Sequence, residues 1–400
     1  MKYLLNVRIK PKKHYIYVKC KIENKIGNTF YINENFKIIH AKANCREIAY
    51  YIDKFAPHPP FDGVSRPVTF DTDESNIEIE YEGFIPNVIA DVNRIDEDII
   101  ELASYAGWYP KPENSDTSFL FDLQLELPTG YELASNGMIT DCSRILSDEL
   151  QSDIAIFASN KVTRVEINNN IIHMVFLCPE VMLPKISSQA NDIAKANSIF
   201  TDKFGEIHHK FAKNEIVTVL RPSSGWGYKR GKTSFMSYEA GLNTSHYILD
   251  FHELAHGWWS IASYDANDWI NEGGAEFSAF VAAKYIYGEE YACSLIQNYL
   301  EKIITTNNNH SIIETNSLSN DRHINHYIKT TIMFITAQKL FGDDRVFQLL
   351  KTLYRKFAGT KLATTDAFLG LCDLDMREYF HEMLYTNDWK SQRIIERYCL

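Results

Sequence analysis

Along the first 180 residues apolar and polar positions alternate. Ile16, Val18, Cys20 and Ile22 are separated by Tyr17, Lys19 and Lys21, and Phe121, Leu123, Leu125 and Leu127 by Asp122, Gln124 and Glu126. A period of two sets one face on a core and the other in water, so these runs predict half-buried strands. Turn formers stand between them at Gly27-Asn28, Pro128-Thr129-Gly130 and Asn136-Gly137. The last pair predicts the left-handed centre of a tight hairpin. Residues 1–180 therefore read as an antiparallel β domain.

The pattern changes between Pro179 and Pro184. Ile186, Ala190, Ile193, Ala196, Phe200 and Phe204 follow the three-and-four spacing of an amphipathic helix. Short strand-like runs return at residues 215–220 and 234–238, and beyond Ser245 the chain predicts helix after helix to about Trp389. Residues 181–400 form the second expected domain, mainly helical with a small sheet. Asn307-Asn308-Asn309 and the polar run 315–320 predict a surface loop between helices.

Composition narrows the function classes. The 400 residues are 45% apolar and 23% charged, an ordinary globular balance. Lys and Arg number 41 against 52 Asp and Glu, a net charge of −11 that argues against nucleic acid as a partner. The seven cysteines are scattered with no C-x-x-C pair, which predicts neither a disulfide framework nor a zinc ribbon and fits a reducing cytoplasm. Charges and amides interrupt every apolar run of residues 1–10, so no secretion signal is expected. The longest apolar stretches fall far short of the ~20 residues that span a bilayer, so no membrane partner is expected.

The strongest chemical signal is His252-Glu253-Leu254-Ala255-His256, an H-E-x-x-H motif. On a helix, positions i and i+4 share a face, so both histidines can reach one metal ion while Glu253 stands beside it as a general base. A catalytic zinc site takes three protein ligands and leaves a position for water, and two histidines with a glutamate are a common set. The third ligand is supplied by Trp269-Ile270-Asn271-Glu272-Gly273-Gly274-Ala275-Glu276, where Glu272 and Glu276 stand one helical turn apart.

With these segments in view, the chain resembles the aminopeptidase-N family of zinc peptidases. Gly107-Trp108-Tyr109-Pro110, Leu127-Pro128-Thr129-Gly130-Tyr131 and Ser135-Asn136-Gly137 look like landmarks of the family's β domain. The H-E-x-x-H segment, Trp269-Ile270-Asn271-Glu272-Gly273, His326-Tyr327-Ile328-Lys329 and the segment 359–366 look like landmarks of its catalytic domain. The resemblance implies a saddle-like antiparallel β domain followed by a thermolysin-like, mainly helical zinc domain. It also implies one zinc per chain held by His252, His256 and Glu272, with Glu253 as general base. Tyr327 would donate to the oxyanion of the tetrahedral intermediate. Glu276, one turn beyond Glu272, would accept the second ring proton of a ligand histidine.

Departures from the family shape the functional expectation. Fifteen residues separate His256 from Glu272, a shorter loop than the family usually has. The family's Gly-x-Met-Glu-Asn segment, whose glutamate holds a substrate α-amine, has no match. Gly225-Trp226-Gly227-Tyr228-Lys229-Arg230-Gly231-Lys232 stands in its place, so Tyr228 and Arg230 become the expected substrate contacts, with preference for a carboxylate. Glu239 is a secondary candidate for an amine. The family's long C-terminal helical domain has no counterpart here, which implies a more open cleft. The expected activity is zinc-dependent hydrolysis of peptides, aminopeptidase-like with altered recognition of the substrate end. Two alternatives stay open: hydrolysis of a non-peptide electrophile, since one branch of the family also opens an epoxide, and a catalytically silent peptide-binding module.

Overall fold

In the computed structural model, residues 1–58, 63–85, 93–114, 117–141, 143–147, 149–168, 172–208, 215–221, 227–238 and 247–389 are described. Strand Lys2–Lys10 buries Tyr3, Leu5, Val7 and Ile9 and turns the intervening polar residues outward. Such alternation draws one face of a sheet onto a core, with about 1.5–3 kcal/mol for each large apolar side chain fully buried. This strand is central to an eight-stranded sheet ordered Met138–Ile139, Arg144–Leu146, Leu120–Glu126, Lys2–Lys10, Tyr15–Glu23, Ile77–Phe84, Phe36–Ala43, Arg46–Glu47. Two four-stranded sheets accompany it. One runs Glu132–Ser135, Ile156–Ser159, Ile99–Leu102, Arg94–Ile95, and the other Lys111–Pro112, Thr29–Asn33, Ser65–Phe70, Tyr50–Ile52. Trp108 is fully buried in the core they share. The carbonyls beside it accept from buried phenols, Tyr81 to Trp108 O at 2.9 Å and Tyr3 to Pro110 O at 2.5 Å.

Two details differ from the sequence expectation. Lys2–Lys10 pairs with Leu120–Glu126 in parallel. More than a hundred residues separate these strands, so no hairpin sets their direction. Asn136-Gly137 is not a hairpin turn: the strand before it pairs with Ile156–Ser159 and the strand after it with Arg144–Leu146, in separate sheets. Neither residue has a positive φ. Asn136 is instead a buried clamp, donating to Asp153 O and accepting from Ala155 N, each at 2.9 Å.

A five-stranded sheet follows, ordered Thr163–Asn168, His173–Cys178, Glu215–Arg221, Thr233–Ser237, Tyr228–Arg230. Packing divides the chain into one unit of Met1–Glu166, Met174–Leu183 and Ile216–Leu242, and a second of Ile167–His173, Pro184–Glu215 and Asn243–Leu400. This division departs from the pattern change near residue 180. The reason is a common core in which Val175, Leu177, Val217, Val219 and Phe235 of the small sheet pack with Ile99, Ala134 and Phe157.

The second unit is helical: α1 (Leu183–Phe204), α2 (Ile248–Ala255), α3 (Trp269–Tyr287), α4 (Glu289–Thr305), a π-helix (His323–Lys329), α5 (Thr330–Phe341), α6 (Asp343–Phe357), α7 (Thr365–Leu371) and α8 (Leu374–Tyr385). Nearly every position of α3 from Trp269 to Ala283 is buried, the signature of a central helix surrounded by others. Among the described residues no helix is long and apolar enough to cross a membrane.

The polar stretch between α4 and the π-helix is not a plain surface loop. Asn308, Ser311, Thr315 and Ser317 are buried. Their groups meet the π-helix: Asn308 donates to Asn325 Oδ1 at 2.7 Å, Asn325 donates to Thr315 Oγ1 at 2.5 Å, and Lys329 Nζ donates to His310 O at 2.9 Å. Polar residues bury readily when they satisfy one another.

Candidate metal centre

His252 lies in the last turn of α2, and the helical hydrogen bond from His256 N to His252 O carries the turn on to the second histidine. Three neighbouring residues bring α3 to this helix end. Asn271 accepts from Ile261 N and Ala262 N at 3.0 Å each and donates to Ala262 O at 2.9 Å, which ties the short connecting loop to the start of α3. A Cβ at Gly274 would stand 2.6 Å from the Trp259 ring, and a Cβ at Gly273 would stand 2.1 Å from the Thr330 side chain and 2.8 Å from His326 O. Only glycine lets α3 approach both neighbours this closely. Glu272 is thereby set beside the histidines and the π-helix.

The three candidate ligand atoms converge. Nε2 of His252 and Nε2 of His256 are 3.2 Å apart, and each is 3.4 Å from Glu272 Oε2. A tetrahedral zinc ion with bonds of about 2.0–2.1 Å separates its ligand atoms by about 3.3 Å. The outer ring nitrogens are already engaged, His252 Nδ1 with Glu276 Oε2 at 2.8 Å and His256 Nδ1 with Trp259 O at 2.9 Å. Both partners only accept, so each Nδ1 carries a proton and each Nε2 is the ring atom left to face a metal. Glu272 Oε2 is buried without a hydrogen-bond partner. Two ring nitrogens and a carboxylate oxygen converging this closely fit a cation, and this donor set fits zinc.

The electrostatics agree. Burial pushes the His252 pKa down, but Glu272 and Glu276 outweigh it and lift the ring to about 10. Burial likewise works against ionised Glu272, yet His256, His252 and Arg322 hold its carboxyl well below the ordinary range. The protein thus maintains a field that retains positive charge at this point. Glu253, beside His252 on α2, is buried at 4% exposure.

Tyr327 is in the π-helix, an irregularity often found at functional sites. Its ring stacks on His252 with centroids 5.3 Å apart and planes 7° from parallel. Burial and then Glu272 raise its pKa well above the usual phenol value, so the hydroxyl keeps its proton near neutral pH. Sequence reasoning missed Arg322, Asp268 and Tyr299. Arg322 donates to Asp268 Oδ2 at 2.7 Å, to Glu272 Oε1 at 2.6 Å and to the Tyr327 hydroxyl at 3.1 Å. Tyr299 donates to Glu276 Oε1 at 2.5 Å, which fixes the carboxylate that orients His252. The available signals were the position of Asp268 just before the Trp-Ile-Asn-Glu run and of Arg322 five residues before Tyr327.

Tyr228 and Arg230 belong to the other unit. The Tyr228 hydroxyl donates to buried Glu101 at 2.9 Å. Arg230 donates to Asp153 Oδ2 at 2.6 Å and to the Tyr105 hydroxyl at 2.8 Å, with its guanidinium over the Tyr105 and Tyr228 rings. The guanidinium expected to meet a substrate carboxylate is thus engaged with a carboxylate of its own unit. Gly225, Trp226 and Glu239 lie outside the described residues.

No family model and no curated protein matches the sequence. Solved structures do match its shape. The M1 zinc metallopeptidase from Deinococcus radiodurans, in a substituted form bound to a Tyr-Ser-Ala substrate, superimposes with a TM-score of 0.74 at 12% identity over 96% of this chain and 93% of that one. The fold is that of M1 metallopeptidases. Two further structures match comparably. Leukotriene A4 hydrolase from Saccharomyces cerevisiae gives a TM-score of 0.72 at 12% identity, covering 96% of this chain and 67% of that one. An aminopeptidase N family protein from Idiomarina loihiensis gives 0.72 at 14% identity, covering 99% and 77%.

Proposed function

We propose that this chain is a zinc-dependent peptide hydrolase of M1 type, with His252, His256 and Glu272 as ligands. The observation that carries the reading is the triangle of donor atoms 3.2–3.4 Å on a side, with both outer ring nitrogens already donating. Zinc, when bound, polarises a carbonyl and lowers the pKa of a coordinated water toward ~7.

The chain's own residues supply the rest. Glu253 takes the proton of the attacking water and passes it to the leaving amine, so the C–N bond breaks with a neutral leaving group. Tyr327 keeps its proton and donates it as a hydrogen bond to the oxyanion. Glu276 and the Trp259 carbonyl hold the histidine tautomers, and Glu276 is itself held by Tyr299. The sequence carries no Gly-x-Met-Glu-Asn glutamate, so recognition of the substrate end differs from that of a strict aminopeptidase, and N-acetylated peptides remain substrates. Metal analysis joined to a screen of free and N-acetylated fluorogenic peptides tests this reading. One zinc per chain with cleavage that chelation abolishes supports it. Zinc without cleavage of any peptide would turn the reading toward a binding module.

A further inference from the structure

The π-helix and α3 face each other across a single guanidinium. Arg322 Nη2 reaches Glu272 Oε1 at 2.6 Å and Asp268 Oδ2 at 2.7 Å, Nε adds a second contact to Asp268 Oδ2 at 3.0 Å, and Nη1 reaches the Tyr327 hydroxyl at 3.1 Å. Asp268 is fully buried and anchors the arginine. We infer that Arg322 is a positioning residue that couples the glutamate ligand to the oxyanion donor, an inference that rests on the zinc peptidase reading above.

Two consequences follow from the geometry. A carboxylate can present either oxygen to a metal, and its orientation is set by what binds the other. Arg322 holds Oε1, which leaves Oε2 turned toward both histidine Nε2 atoms. A donor on the Tyr327 oxygen occupies one of its lone pairs, so the hydroxyl's own proton is aimed away from Arg322. The guanidinium is the side chain suited to this task, because its planar fork serves three acceptors in different directions at once. A lysine ammonium on the same stem is a point charge without that fixed fork.

The test uses Arg322→Lys, Arg322→Ala, Tyr327→Phe and the Arg322→Lys/Tyr327→Phe double variant of the full chain. Folding is checked by circular dichroism. Arg322→Lys keeps a cation beside buried Asp268 and decides the question if the alanine variant fails to fold. Zinc affinity is read first, by competition of the metal-free proteins with a chromophoric chelator. Both Arg322 variants should bind zinc roughly 10–100-fold more weakly, the usual effect of losing the partner of a metal ligand, and Tyr327→Phe should bind as wild type does. Turnover is then read at saturating zinc with a fluorogenic peptide. Arg322→Lys should lower kcat with little change in KM, and in the Tyr327→Phe background it should lower kcat by less than about threefold further, because one hydrogen bond has already been removed. Wild-type zinc affinity in folded Arg322→Lys, or kcat losses that multiply in full in the double variant, would overturn the inference. If zinc-loaded wild type cleaves no peptide, the functional reading fails, while the zinc titration still decides the role of Arg322 on Glu272.

Discussion

Each unit buries a cluster of charges, and the two clusters are balanced differently. In the β-rich unit, Arg221 faces Glu101 at 3.2 Å and Arg230 faces Asp153 at 2.6 Å, so each of these two arginines has its own carboxylate. In the helical unit, buried Glu253, Asp268 and Glu272 and partly buried Glu276 surround two histidines, with Arg322 as the guanidinium among them. Four carboxylates against one guanidinium leave a deficit of positive charge. Buried charge is tolerated when it is paired. The arginines of the first cluster are paired with protein carboxylates, whereas the second has the donor set for the cation proposed above. The lifted pKa of His252, about 10, is the same deficit read through a proton. A balanced buried network holds a fold together, and an unbalanced one marks a place where something binds.

The comparison breaks most visibly at Glu253. Glu253→Gln removes a base and leaves all three donors, so zinc content should be unchanged while turnover falls roughly 10²–10⁴-fold. Near-normal hydrolysis by that variant would remove Glu253 from the mechanism. The balanced cluster should answer in the opposite way. Arg230→Ala leaves Asp153 buried beside Ser104 and Tyr109 with its cation gone. Stability should drop by about 2–3 kcal/mol, at the lower edge of the range for breaking a buried pair, since the guanidinium keeps some access to water. Urea unfolding measures that loss. Preference between acidic and neutral peptides should be unchanged, and a lost preference would assign Arg230 a substrate role.

Packing sharpens the comparison further. Gly273→Ala places a methyl against Thr330 and His326 O, and the strain should be about 1–3 kcal/mol. Because the same contact sets the π-helix beside Glu272, kcat should fall along with the unfolding midpoint. The smallest effect concerns protons. His252 is raised from its ordinary 6.5 to about 10, so its charged form stabilises the metal-free fold fully below pH 6.5 and that contribution is lost as pH rises through 10. Zinc needs the neutral ring, so at pH 8 its binding should release about one proton from His252. Calorimetry in buffers of different ionisation heat counts that proton, and the melting temperature of the chelated protein should decline between pH 6.5 and 10.

Much of this was legible in the chain because it repeats or because it is local. Alternation in residues 2–10 and 120–126 specifies buried faces without specifying strand direction, and direction is where the parallel pair departed from the expectation. His252 and His256 are readable because a helix fixes what four residues of separation mean, and Glu272 because it starts the next helix. Arg322 has no such handle. It meets Asp268 across 54 residues and Glu272 across 50, and neither a period nor a motif encodes that meeting. Composition misled at one place. The polar run 315–320 read as solvent-facing, yet Thr315 and Ser317 are buried. Polarity predicts exposure only when no partner is waiting, and partners come from tertiary structure.

The central claim is that the second cluster lacks a cation which His252, His256 and Glu272 hold. X-ray absorption at the zinc edge on the purified, zinc-reconstituted chain tests it most directly, together with metal stoichiometry in wild type and Glu272→Gln. The account predicts one zinc per chain, with nitrogen and oxygen neighbours at about 2.0–2.1 Å, no sulfur at about 2.3 Å, and a marked loss of metal in Glu272→Gln. A reconstituted wild type without zinc, a sulfur neighbour, or full occupancy in Glu272→Gln would contradict it.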